Sequence, residues 1–137
     1  MSLVLDASFT LAWIFPGEAT AEIQQVFDQI DAAGCIVPQI WRLEVANGLT
    51  VAVRRGRVSA VFRAQAIKVL EFTPITIDSE TNDRAWAATL QLADRFQLTP
   101  YDASYLEVAH RLALPLATSD RRLRAAAAGL GVATLGV

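Results

Sequence analysis

The sequence predicts one α/β domain, residues 1–137, in which a central parallel sheet of about five strands is flanked by helices on both faces. Three observations carry this reading. Short apolar runs alternate along the chain with longer stretches of helical periodicity, the order of a strand, crossover, strand fold. The runs are apolar throughout instead of alternating with polar residues, so both faces of each strand are covered. At 137 residues and 53% hydrophobic composition, the chain is long enough for one sizeable core and too short for two.

The elements follow in order. Leu3-Val4-Leu5 is the first strand and ends at Asp6; helical spacing then runs from Ala7 to Phe15, where Pro16-Gly17 stops it. Glu18 to Ala33 places Ile23, Val26, Phe27 and Ile30 at helical intervals and closes at Gly34. Cys35-Ile36-Val37 is a second strand bounded by Pro38. Gln39 to about Arg55 is helical, with Trp41, Val45, Leu49 and Ala52 on one face, and Ser59 caps a helix reaching about Leu70. Phe72 to Ile77 carries a third strand, and Asp78-Ser79 starts a helix reaching about Phe96. Pro100 closes that segment, and Tyr101 to about Leu112 is a helix with Asp102 in its first turn. Leu116-Ala117-Thr118 is a fourth strand. Asp120 starts a helix through Ala128 that Gly129 caps, and Val132 to Leu135 is a short final strand.

Composition excludes several classes. The mean hydropathy of +0.34 is high, yet charges break every window before it reaches the length of a membrane span. The start, Met-Ser-Leu-Val-Leu-Asp, lacks the charged and apolar parts of a signal peptide, so a cytoplasmic location is expected, with no membrane partner. A single Cys35 and a single His110 exclude an internal disulfide and argue against a zinc cluster. A net charge of −2 and a pI near 5.3 argue against coating nucleic acid by charge alone. Local basic clusters remain at Arg54, Arg55 and Arg57 and at Arg121 and Arg122, readable as RNA-backbone contacts or as solvated helix ends.

The informative pattern is acidic. In open α/β sheets the working crevice lies outside the carboxyl ends of the strands, where strand order reverses. Asp6 ends the first strand, Asp120 follows the fourth by two residues, and Asp102 opens the helix before that strand. Glu44 interrupts an otherwise largely apolar stretch, where an inward-facing charge is costly without a partner, and Asn47 lies one helical turn beyond it. Singly, Asp6, Asp102 and Asp120 each read as a helix N-cap and Glu44 as an arginine partner or a solvent-facing residue. Jointly they read as a pocket. Converging carboxylates repel one another unless a cation sits among them, and oxygen donors without His or Cys select Mg²⁺, with Mn²⁺ able to substitute. Such an ion leaves room for phosphate oxygens and a nucleophilic water, the chemistry of phosphodiester hydrolysis.

On these residues the chain resembles the PIN domain family, and within it the VapC-type toxins of bacterial toxin-antitoxin pairs. The matching segments are Leu-Val-Leu-Asp-Ala-Ser at the start, Leu-Glu-Val-Ala-Asn at Leu43 to Asn47, Leu-Thr-Pro-Tyr-Asp-Ala-Ser-Tyr at Leu98 to Tyr105, and Pro-Leu-Ala-Thr-Ser-Asp ending at Asp120. The resemblance implies a metal-dependent endoribonuclease with Asp6, Glu44, Asp102 and Asp120 in its acidic pocket. Asp6, Asp102 and Asp120 would be the metal-side ligands, directly or through water, and Glu44 would help orient the attacking water. Ser8 and Thr118 match the family's hydroxyl supports and Asn47 its amide. The family often carries a further acid near the Leu98 to Tyr105 motif, where Thr99 and Pro100 stand here. The resemblance further implies an RNA substrate, a homodimer and a cognate VapB-like antitoxin laid in a hydrophobic groove, for which Trp13, Phe15 and Phe27 are lining candidates.

Two other classes fit parts of the pattern. A receiver-type phospho-acceptor shares the small sheet and strand-end acids but needs a lysine after a late strand, and the only lysine, Lys68, lies in mid-helix. A catalytically silent PIN-fold module would use the acids to dock a basic partner.

Overall fold

Residues 1–136, which the computed structural model describes, form five short strands and eight helices around one parallel sheet. The first half of the chain builds β1 (Val4–Leu5), α1 (Ala7–Ile14), α2 (Ala21–Ala33), β2 (Cys35–Val37), α3 (Trp41–Arg54), α4 (Ala60–Phe72) and β3 (Ile75–Ile77). The second half adds α5 (Thr81–Arg84), α6 (Ala88–Phe96), α7 (Pro100–Leu112), β4 (Leu116–Ala117), α8 (Arg121–Leu130) and β5 (Thr134–Leu135). The strand order is β3-β2-β1-β4-β5, all parallel, with Val4 opposite Ile36 and Leu116 and with Leu5 opposite Ala117. The chain thus builds outward from β1 in one direction and returns to build outward in the other. The reversal falls between β1 and β4, which makes their carboxyl ends the crevice of the fold.

The core explains the composition. Leu3, Val4, Leu5, Leu116 and Ala117 are fully buried, as two-sided coverage of a parallel sheet requires. Helix α7 is buried from Ala103 through Ala109 on every side, whereas a surface helix buries only a stripe. It packs against α6, α8 and the central strands, so the element that carries Asp102 runs through the middle of the molecule. Phe9 and Phe27 lie stacked with centroids 6.2 Å apart, and Trp13 stacks on Phe27 at 3.9 Å. Phe15 and Phe27 are thereby core residues, and Trp13 is half-buried at the edge of the cluster.

Some boundaries differ from those the periodicity predicts. The stretch from Asp78 to Phe96 is not one helix: it breaks between α5 and α6 at Ala87, whose backbone is neither helical nor extended. Helix α5 is tied down by Gln39, which accepts the Asn82 N–H and donates its own N–H to Thr81, while α6 must lie along α7. One straight helix cannot meet both demands. Helix α2 starts at Ala21, capped by Thr20, three residues later than expected, because the chain is still leaving the Pro16-Gly17 turn. Phe72 ends α4 and is exposed instead of entering β3. Helix α8 runs past Gly129 to Leu130 and ends at Gly131, whose φ of 75° is the left-handed conformation glycine adopts freely. Gly129 is instead the close contact with α6, where a Cβ would sit 3.0 Å from the Phe96 ring.

Candidate active site

Four segments distant in sequence meet at the carboxyl ends of β1 and β4. Asp6 leaves β1 and stands at the N-cap position of α1, but its side chain does not cap that helix. Its Oδ2 instead accepts the Ser8 hydroxyl at 2.6 Å and the Thr118 hydroxyl at 2.7 Å. Thr118, fully buried, also accepts the Asp120 N–H at 3.1 Å. One hydroxyl therefore fixes both the Asp6 carboxylate and the backbone that presents Asp120.

Asp120 is a true cap, its Oδ1 accepting the Leu123 N–H at 3.0 Å at the start of α8. Asp102 is not. The cap of α7 is Thr99, whose hydroxyl accepts the Asp102 N–H at 3.1 Å, with Pro100 in the first turn, where a missing N–H costs nothing. That leaves the Asp102 carboxylate half-buried and uncommitted within its own helix. Glu44 lies in the first turn of α3, half-buried, and its Oε1 accepts the hydroxyl of Tyr105 at 2.5 Å. Tyr105 is itself fully buried.

The electrostatics tie the acids together. Burial pushes the Asp6 carboxyl up from its ordinary value, against the pull of the Ser8 and Thr118 hydroxyls, and the charge of Asp120 pushes the same way. Burial raises Glu44 too, partly offset by the Tyr105 hydrogen bond and reinforced by Asp6 and Asp102. Asp102 is raised by burial, then by Asp6 and Asp120, with Thr99 opposing. Repulsion links Asp6 to Asp120, Glu44 to Asp6 and Asp102, and Asp102 to Asp6 and Asp120, so the four acids lie near one another at this end of the sheet. Burial and Glu44 together raise the Tyr105 phenol, which stays a neutral donor.

The donor set is all hard oxygen, which fits a small divalent cation. Among the described residues no group of three or more His, Cys, Asp or Glu side chains stands close enough to hold a metal ion directly. Mg²⁺ commonly takes only one or two carboxylates and keeps several of its waters.

The remaining candidates fall into place unevenly. Ser8 touches Asp6 directly. Asn47 is exposed, makes no side-chain hydrogen bond among the described residues, and lines a cleft with Glu44. Arg121 and Arg122 are exposed in the first turn of α8, immediately beside Asp120. Positive charge at a helix N-terminus opposes the helix dipole, so local stability does not account for this pair. Arg54 and Arg55 sit at the far end of α3 from Glu44, about 15 Å away at 1.5 Å per residue. Arg57 is engaged elsewhere, paired with Glu18 and lying 4.3 Å over the Phe15 ring. Asp78, which ends β3 and has the look of a simple cap, belongs to a separate buried network. Arg111 Nη2 donates to it at 2.7 Å, Nη1 reaches Glu80 at 3.1 Å and Nε reaches Glu107 at 3.0 Å, while Thr81 adds a hydroxyl to Asp78 at 2.8 Å.

Compared with known proteins, the model of the PIN domain matches residues 3–129. The chain belongs to the PIN domain family. The crystal structure of PAE2754 from Pyrobaculum aerophilum superposes with a TM-score of 0.72 at 27% identity, covering 98% of this chain and 83% of that one. No curated protein matches. The PIN fold is a nuclease-type fold, and PIN domains generally act as nucleases that use Mg²⁺ or Mn²⁺. In this PIN domain the sheet crevice and the acid pocket are the same place.

Tyr105 and Arg111 escape a reading of the sequence. Tyr105 falls at a core position of an apolar helix, and only its hydroxyl, placed by the fold, connects it to Glu44. Arg111 meets Asp78 across 33 positions with no local signal.

Proposed function

We propose that this PIN domain is a VapC-type toxin: a Mg²⁺-dependent endoribonuclease hydrolysing RNA phosphodiester bonds in a pocket walled by Asp6, Glu44, Asp102 and Asp120. The observation that carries the reading is a group of acids at the carboxyl ends of β1 and β4 that form no ion pair among the described residues. Asp6 is held by Ser8 and Thr118 and Glu44 by Tyr105, while Asp120 repels Asp6, Asp6 and Asp102 repel Glu44, and Asp6 and Asp120 repel Asp102. Structural carboxylates are normally paired with cations; these face one another. A bound Mg²⁺ or Mn²⁺ supplies a counter-charge for phosphate oxygens and an acidified water. Asp6, Asp102 and Asp120 would hold it, directly or through water. Ser8 and Thr118 orient Asp6, the α8 N-terminus orients Asp120, and Tyr105 leaves Glu44 with one oxygen to take a hydrogen bond from the attacking water.

The partners belong to the same proposal. A cleft lined by Trp13, Ile14, Phe62, Ala66 and Val69 is apolar and shallow enough for the helical segment of a VapB-like antitoxin. Trp86 is 93% exposed with Leu90 nearby in sequence, which supports a homodimer face. No helix among the described residues is long and apolar enough to cross a membrane, and a cytoplasmic site of action is part of the proposal.

The test is cleavage of RNA by purified protein with Mg²⁺ or Mn²⁺. Asp102→Asn is expected to abolish cutting with the fold intact, and an Asn variant as active as wild type would refute the assignment. Absence of saturable Mn²⁺ binding by calorimetry would favour a silent docking module instead.

A further inference from the structure

Against the acid pocket, the first turns of α3 and α7 leave a cleft of about 310 Å³ lined by Ile40, Leu43, Glu44, Asn47 and Tyr101. Leu43 and Tyr101 are 68% and 61% exposed, and each is the chain neighbour of a pocket acid, Glu44 or Asp102. Neither belongs to the core. Leu43 and Tyr101 line one cleft together, an exposed apolar rim beside polar groups of the kind that marks a ligand groove.

We infer that this cleft holds an unpaired nucleobase of single-stranded RNA, stacked on the Tyr101 ring and flanked by Leu43, with its edge met by the Asn47 amide. The inference rests on the nuclease reading of the adjoining acids. Charge selects the occupant: Glu44 in the wall repels a phosphate but not a neutral base. Tyr101 offers a π-face that any base can use, and Asn47 offers both a donor and an acceptor. A duplex is excluded, because its bases are already stacked and a wide helix does not enter so small a cleft. The base held here is the one adjoining the phosphate in the acid pocket, since Glu44 belongs to both spaces.

The experiment compares Tyr101→Ala, Tyr101→Phe and wild type on a single-stranded oligonucleotide spanning the cleavage site mapped for the wild type. A second oligonucleotide lacks the base beside that site. Tyr101→Ala is expected to raise KM about tenfold or more on the intact RNA, the loss expected for one stacked base, with Tyr101→Phe close to wild type. Removing the base should cost the wild type a similar factor and Tyr101→Ala nothing further. Base occupancy is read independently of cutting by quenching of 2-aminopurine at that position, in the Asp102→Asn background with and without Tyr101→Ala. An unchanged KM for Tyr101→Ala, or an equal loss on the RNA lacking the base, overturns the inference while leaving the nuclease assignment standing. Failure of the wild type to cut or bind any RNA overturns both.

Discussion

The Tyr105 hydroxyl donates to Glu44 Oε1 across 2.5 Å, joining residues 61 positions apart. A buried phenol on α7, the helix that carries Asp102, thus fixes the Glu44 wall of the pocket. Tyr105→Phe keeps the ring packing and deletes only this link. We expect a correctly folded protein that is about 1–2 kcal/mol less stable, because a half-buried Glu44 oxygen loses its partner. Cleavage should fall by about 10–100-fold, the usual cost of removing an outer support. Thermal denaturation and steady-state cleavage assays check the two parts separately.

Thr118 makes the corresponding prediction on the other side. Thr118→Val is nearly isosteric but removes the donor to Asp6 and the acceptor for the Asp120 N–H. Mn²⁺ affinity measured by calorimetry should fall about 10–100-fold, and Thr118→Ser should retain most of it. Equal affinity in Val and Ser variants would show that the hydroxyl only fills space.

The raised carboxyls imply a trade of stability for function. An acid whose folded pKa is raised is penalised in the folded state at every pH above that raised value, and the penalty fades as the pH falls toward the unfolded value near 4. Asp102→Asn removes one of the repelling charges. At neutral pH without divalent metal it should melt about 3–5 °C higher, the shift that about 1 kcal/mol gives a domain of this size, and the gain should shrink as the pH is lowered toward 4. Added Mn²⁺ should raise the melting temperature of the wild type and leave the variant unmoved.

Asp78 titrates with the opposite sign. Burial alone would raise its carboxyl, but the Arg111 guanidinium and the Thr81 hydroxyl outweigh it and hold it below the ordinary range. Its contribution is present in full above the unfolded value near 4 and is lost as the pH falls through the lower folded value. Urea titrations between about pH 2 and 6 should show an acid limb that Asp78→Asn flattens. Arg111→Met leaves Asp78 and Glu107 buried without their cation and should cost about 3–5 kcal/mol.

The basic residues divide by position. Replacing Arg121 and Arg122 with Gln should weaken RNA binding and reduce the slope of log K against log salt by about 1.4, at about 0.7 per contact for a single strand. Arg57→Gln, which breaks an internal pair with Glu18, should leave the slope unchanged.

Much of this was legible because the signals are local. A strand followed at once by an acid and a helix locates Asp6 and Asp120, and Pro100 marks the start of the helix that carries Asp102. Thr118 is reached only through the resemblance to the PIN family, whose hydroxyl support it matches. Tyr105, the Arg111 network and the break at Ala87 are tertiary: a phenol in an apolar helix, an arginine 33 positions from its partner, and a helix cut without Gly or Pro carry no mark along the chain. The Gly129 and Gly131 exchange has the same cause, since two glycines two positions apart are equivalent caps until Phe96 occupies the space beside one of them.

The strand order has a consequence for the time at which this chain can act. Strand β1 pairs with β4, and Asp6 takes its second hydroxyl from Thr118, so the first acid synthesised is completed only by residues translated after the first seven helices. A ribosome that has reached Asp102 carries three of the four acids on a chain that still lacks the strand beside which they assemble. The nascent polypeptide therefore completes its group of acids only after β4, Thr118 and Asp120 have been made, a delay fixed by the order of the strands.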